Sequence, residues 1–129
     1  MIDEDESHAD RNWVAKFRCA FRGAKLGVRG QSSFFIHFFM AAAVIVAGVV
    51  LNVTPVEWYI LILCMAGVLT AEMFNSAIES LARAITHEEN PHVGGALDIG
   101  SAAVLVASIG AAVVGSIIFG QRLWNMLGW

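Results

Sequence analysis

A chain of 129 residues holds one domain at most. Hydrophobic residues make up 57% and charged residues only 15%, with a mean hydropathy of +0.66. This excludes an ordinary water-soluble globule, because so short a chain cannot bury that much apolar surface in a core of its own. The net charge of −3 says little as a sum, since the charges are segregated along the chain.

Residues 1–10 (MIDEDESHAD) carry five acids and His8, and are expected to be a disordered, solvated acidic tail rather than a cleavable signal peptide. Residues 11–29 hold six of the eight Lys and Arg: Arg11, Lys16, Arg18, Arg22, Lys25 and Arg29. Trp13, Phe17, Ala20, Phe21 and Ala24 recur at spacings of three and four, which predicts an amphipathic basic surface helix whose aromatic face lies in a headgroup region. Asp10 or Asn12 is placed to cap it, and Gly27 and Gly30 are expected to allow a bend at its end. The helix is topogenic, and its cations are also candidates to face a phosphate.

Residues 30–122 form the body of the chain, with spans expected at about 34–51, 57–83 and 98–120 and a C-terminal tail at 123–129. The first apolar run is 18 residues long, enough to span a bilayer with its flanks. His37 near its start reads as a neutral, hydrogen-bonded or interfacial group. Residues 52–57 (NVTPVE) make a turn in which Pro55 opens the next helix. The second run is apolar all round through YILILCMAGVLTA. The polar stretch 86–92 (THEENPH) with Gly94 and Gly95 then leads to the third. Cys19 and Cys64 sit in unlike contexts and are read as reduced and structural. No nucleic-acid partner is expected.

With three spans, the basic helix and the loop at 83–98 share one side, which holds seven of the eight Lys and Arg. The positive-inside rule makes that side cytoplasmic, with the N-terminus inside and the 52–57 turn and C-terminus outside. Trp124 and Trp129 fit an outer interfacial belt.

The stretch Ala71-Glu72-Met73-Phe74-Asn75-Ser76-Ala77-Ile78-Glu79 stands out in this apolar setting. At about 100° per residue, Glu72, Asn75, Ser76 and Glu79 fall on one helical stripe. Ionisable groups at membrane depth are costly and mark function by default. Asp98 and Ser101 open the third span on the same side as Glu79. Hard oxygen ligands of this kind suit Mg²⁺ held with waters and substrate phosphates, which phosphoryl transfer requires. A proton or ion pathway, or polar glue between helices, accounts for the same stripe. No Walker A sequence or kinase-type glycine loop is present.

Glu72-Met73-Phe74-Asn75-Ser76-Ala77-Ile78-Glu79 resembles the central signature of the small three-span prokaryotic diacylglycerol kinase and undecaprenol kinase family. Asp98-Ile99-Gly100-Ser101-Ala102-Ala103-Val104 resembles its second motif, and Phe21-Arg22-Gly23 fits its basic opening. The similarity covers about residues 11–120. It implies an all-α integral membrane protein with an N-terminal surface helix and three transmembrane helices, assembled as a homotrimeric bundle with sites shared between subunits. It implies ATP-dependent phosphorylation of a membrane lipid alcohol, diacylglycerol or undecaprenol, at the cytoplasmic face of the bacterial inner membrane. By the same resemblance, Glu72 is the general base beside the lipid hydroxyl, Asn75 orients the reacting groups, and Glu79 binds the Mg²⁺ that bridges the ATP phosphates. Asp98 and Arg22 belong to the nucleotide site, and Ser101 to the substrate site.

Three positions depart from the family pattern. Gln31 stands where a second metal-binding glutamate is usual, and offers Mg²⁺ a neutral oxygen only. Phe35 replaces an arginine, and Leu97 replaces a lysine just before Asp98. Lys25, Arg29 and Arg83 are the cations at hand to compensate. The alternative to a kinase is a catalytically impaired family member acting as a membrane scaffold or lipid-binding protein.

Overall fold

The computed structural model describes residues 2–28, 32–85 and 87–128, with side chains at 12–26, 34–85 and 87–128. The chain divides into two units, residues 1–31 and 32–129. The first is a single helix, α1 (Ile2–Val28). It starts earlier than the composition suggests: the acidic stretch expected as a disordered tail continues the helix. Acids at an N-terminus are favoured there by the positive end of the helix dipole, and no proline interrupts them. Gly27 likewise lies inside α1, while Gly30 is outside the described residues. The expected aromatic stripe is present and exposed at Trp13, Phe17 and Phe21, and Lys16 Nζ lies 5.2 Å from the Trp13 ring centroid.

The second unit contains α2 (Ser32–Val50), α3 (Pro55–Ile85) and α4 (Pro91–Met126). Helices α3 and α4 form an antiparallel hairpin with the main contact of the unit, and α2 packs on it less extensively. Both α3 and α4 are long and apolar enough to cross a membrane, and Phe34–Val50 is a shorter apolar helix. Large apolar side chains such as Phe35, Phe39, Leu63, Phe74 and Val106 are exposed on the outside of the unit. A surface of this kind suits lipid or another chain rather than water.

The turn between α2 and α3 closes by a Schellman motif. Val53 N donates to Gly48 O at 3.1 Å, Asn52 N donates to Val49 O at 3.3 Å, and Asn52 takes the left-handed φ of 54° that the motif needs. Next, Thr54 and Glu57 form a capping box around Pro55: Glu57 N donates to Thr54 Oγ1 at 3.2 Å, and Thr54 N donates to Glu57 Oε1 at 3.0 Å. The same Glu57 Oε1 accepts from Arg122 Nε at 3.0 Å and Nη2 at 2.6 Å, tying the start of α3 to the end of α4. Above this tie, Val53, Leu61 and Ile118 form the apolar core with Val44, Trp58, Val114 and Phe119. Trp58 lies so close over Gly48 that an added Cβ would meet its ring at 2.5 Å.

At the other end, Asn90 caps α4, its Oδ1 accepting from His92 N at 2.9 Å and Val93 N at 3.4 Å, with Pro91 opening the helix. Helix α4 thus starts seven residues before the expected span, at Pro91 instead of Asp98, and takes in Gly94 and Gly95. The cap and proline outweigh the two glycines, each of which costs a helix only about 1 kcal/mol. It also runs on to Met126, so residues 123–126 of the expected tail are helical. Trp129 lies outside the described residues.

Because Asn52 sits in left-handed backbone that a β-branched residue adopts only with strain, Asn52→Val is expected to lower stability by about 1–2 kcal/mol. Asn52→Gly should cost nothing by the same measure, SDS-driven unfolding in mixed micelles.

Candidate active site

The polar stripe of α3 turns inward, toward protein. Glu72, Asn75 and Ser76 are 5%, 8% and 7% exposed, and Glu79 is half-buried. Apolar neighbours on the other faces of α3, such as Met73 and Phe74, are exposed. The helix therefore buries its polar groups and shows its apolar ones, the reverse of a soluble surface helix, as a low-dielectric exterior demands.

Each member of the stripe has a defined setting. Glu72 Oε2 lies 3.3 Å from His37 Nε2 across the α2–α3 contact. Phe34, one turn before His37, is the most deeply buried large side chain among the described residues, and its ring centroid lies 6.3 Å from that of Phe38. Asn75 Nδ2 donates to Glu79 Oε1 at 3.2 Å, one turn on. Asn75 Oδ1 points at α4, where a Cβ on Gly100 would stand 2.6 Å from it. Only a glycine allows this approach. Asn75 Oδ1 and Ser76 Oγ are buried without a hydrogen-bond partner, which is rare in a folded protein.

Glu79 also lines an open groove of about 770 Å³ between the end of α3 and the start of α4. Ala82, Arg83, His87, Glu88, Asn90 and Leu97 share the lining. Glu79 thus connects the buried stripe, through Asn75, to a solvent-facing recess. From Glu72 to Glu79 the rise along α3 is about 10 Å.

The other sequence candidates are placed differently. Asp98 and Ser101 are exposed on α4, unlike the buried Glu72 and Asn75. Leu97 does line the groove and brings no charge to it. Phe35 is exposed. Arg22 is exposed on α1, in the other unit, and Gln31 lies outside the described residues. Among the described residues, no three His, Cys, Asp or Glu side chains converge to hold a metal.

Two features escape the motif reading. The His37–Glu72 pair joins residues 35 positions apart, and its one sequence signal is a histidine and an acid at the same depth in neighbouring spans. The groove brings His87, Glu88 and Asn90 beside Glu79. Its signal is a polar loop directly after the motif helix.

The tight contact at Gly100 makes a specific expectation. Gly100→Ala should destabilise the hairpin by about 1–3 kcal/mol, as overpacking does. Combined with Asn75→Ala, which removes the opposing amide, it should cost less than the sum of the two single changes when unfolding free energies are compared.

Comparison with known proteins places these residues in a lineage. The family described as prokaryotic diacylglycerol kinase matches residues 18–119. The undecaprenol kinase of Bacillus subtilis (strain 168) is 30% identical over 123 residues, covering 95% of this chain and all of that protein. The diacylglycerol kinase of Synechocystis sp. (strain ATCC 27184 / PCC 6803 / Kazusa) is 31% identical over 117 residues, 90% of this chain and 67% of that protein. The matched region contains the whole stripe, the groove and the Gly100 contact, and the chain belongs to the prokaryotic diacylglycerol kinase family.

Proposed function

We propose that the chain is a membrane lipid kinase that transfers the γ-phosphate of ATP to the hydroxyl of a lipid alcohol, of the diacylglycerol or polyprenol class, at the cytoplasmic face. The observation that carries this reading is the hydrogen-bonded path from buried stripe to open groove: Asn75 joined to Glu79, and Glu79 lining the recess. A lipid hydroxyl arrives from the membrane side and a nucleotide from water, and this arrangement lets the two meet at one helix.

The roles follow from position. Glu72 accepts the proton of the lipid hydroxyl, for which its buried, protein-facing carboxylate is suited. Asn75, with an unpartnered Oδ1, orients the reacting groups. The phosphates occupy the groove, where Arg83 supplies a cation and compensates for the uncharged Leu97. Glu79 is the carboxylate available to a Mg²⁺ that arrives with the nucleotide. A single carboxylate fits an ion that keeps its waters and phosphate ligands, and does not fit one needing a cage of protein side chains, since among the described residues no three His, Cys, Asp or Glu side chains converge. Such an ion would neutralise charge on the phosphates during transfer. Attack of the lipid oxygen on the γ-phosphorus forms the new O–P bond, and the bond to the bridging oxygen breaks to release ADP.

Three membrane crossings, a cytoplasmic N-terminus and a homotrimer in the inner membrane complete the proposal. The segregated Lys and Arg support the orientation. The exposed Asp98 and Ser101 near the start of α4 support assembly, because polar groups at such a depth are met by protein, here a second copy whose site they would complete.

The test is transfer of radiolabelled phosphate from MgATP to diacylglycerol and to undecaprenol, side by side, with the purified chain in lipid. A phosphorylated product with either lipid supports the reading and identifies the substrate. A well-folded assembly yielding product with neither would favour the alternative scaffold or lipid-binding role. Glu72→Gln is expected to lower kcat by about 10²–10⁴-fold with little change in the KM for ATP. Arg83→Ala should instead raise the KM for ATP, and Glu79→Ala should abolish turnover at ordinary Mg²⁺ concentrations.

A further inference from the structure

We propose that His37 is a positioning residue for phosphoryl transfer and acts through Glu72, an inference that rests on the lipid-kinase reading above. The motif of α3 supplies a candidate base, but a glutamate carboxylate at the end of three rotatable bonds has no fixed direction of its own. A general base must present its oxygen within about 3 Å of the proton it takes. Here one of the contacts that orient it comes from another helix. His37 Nε2 is 3.3 Å from Glu72 Oε2, a contact between α2 and α3. The two side chains are 17% and 6% exposed, so the pair is largely removed from solvent that would otherwise compete for it.

The imidazole sits beside a buried part of α2. It follows Phe34 by one helical turn, and Phe34 is 2% exposed and packed near Phe38. The turn of α2 that carries the imidazole is thereby anchored against the rest of the unit. A hydrogen bond from Nε2–H to Glu72 Oε2 restrains that carboxylate oxygen. In the reaction, the lipid O–H bond breaks and its proton passes to the Glu72 carboxylate. The freed electron pair forms the bond to the γ-phosphorus, and ADP leaves with the pair of the broken P–O bond. His37 keeps its own proton throughout and touches neither substrate.

The atom that matters is Nε2, and amide side chains can test it. In His37→Gln the side-chain amide nitrogen falls near the place of Nε2. In His37→Asn the shorter side chain places it near Nδ1, out of reach of Glu72. Lipid phosphorylation is measured with the full chain in lipid, with undecaprenol and diacylglycerol as acceptors, and the folded state is followed by SDS-driven unfolding. Wild-type turnover with either lipid establishes the reading on which this inference rests. Failure of wild type with both overturns that reading and the role of His37 together. Given wild-type turnover, His37→Asn is expected to lose about 10²-fold in kcat, the scale of a misplaced reacting group, with the KM for ATP unchanged. His37→Gln should stay within about tenfold of wild type. In the Glu72→Gln background, His37→Asn should add nothing further to the loss, because its effect passes through the carboxylate.

Wild-type kcat in His37→Asn would overturn the proposal. Equal losses in the Gln and Asn variants would do so as well, since they would assign His37 a packing role. A loss in His37→Asn that multiplies the loss of Glu72→Gln would show that His37 acts on something other than Glu72.

Discussion

A buried carboxylate in a helix whose other faces are apolar has to be met by protein, and much of this fold follows from that one requirement. In hydrocarbon the alternative is an unsolvated charge, so the side of α3 that carries Glu72, Asn75 and Ser76 must lie against its neighbours. Helix α2 answers with His37 and helix α4 with a glycine that admits Asn75. The order of exposure along α3 is inverted as a result, and the chain presents Met73 and Phe74 outward.

The contact at Gly100 shows how packing and chemistry are coupled. A side chain there would force the Asn75 amide aside, and that amide is what holds Glu79 from the buried side. The glycine belongs to the second motif and the asparagine to the first, so the two stretches are related in space as well as in sequence. Each secures the geometry of the other. Asp98 and Ser101, two residues before and one after this glycine, are by contrast exposed.

Much of this was legible in the residues. The helical stripe, the turn at 52–57 and the apolar runs follow from spacing and from Pro55, because they depend on neighbours within a turn or two. The limits of the helices were less legible. Helix α4 begins at Pro91 because Asn90 and Pro91 make a strong start, whereas Gly94 and Gly95 suggest a break. Helix α1 runs back to Ile2 through residues whose charge suggests a solvated coil. Partnerships across helices were scarcely legible: a shared depth is all that relates His37 to Glu72 in the sequence, and nothing near Glu57 points to Arg122. Such pairs depend on the rotation and offset of packed helices, which local pattern does not encode.

The two ends of the α3–α4 hairpin are unequal. At one end a capping box, a forked ion pair and a small apolar core hold the helices together through Glu57. At the other, the helices part around a groove of about 770 Å³. The groove end is closed by the short connection to the Asn90 cap and held one turn inside by the Asn75–Gly100 contact, so its width is set locally and not by the distant Arg122 tie.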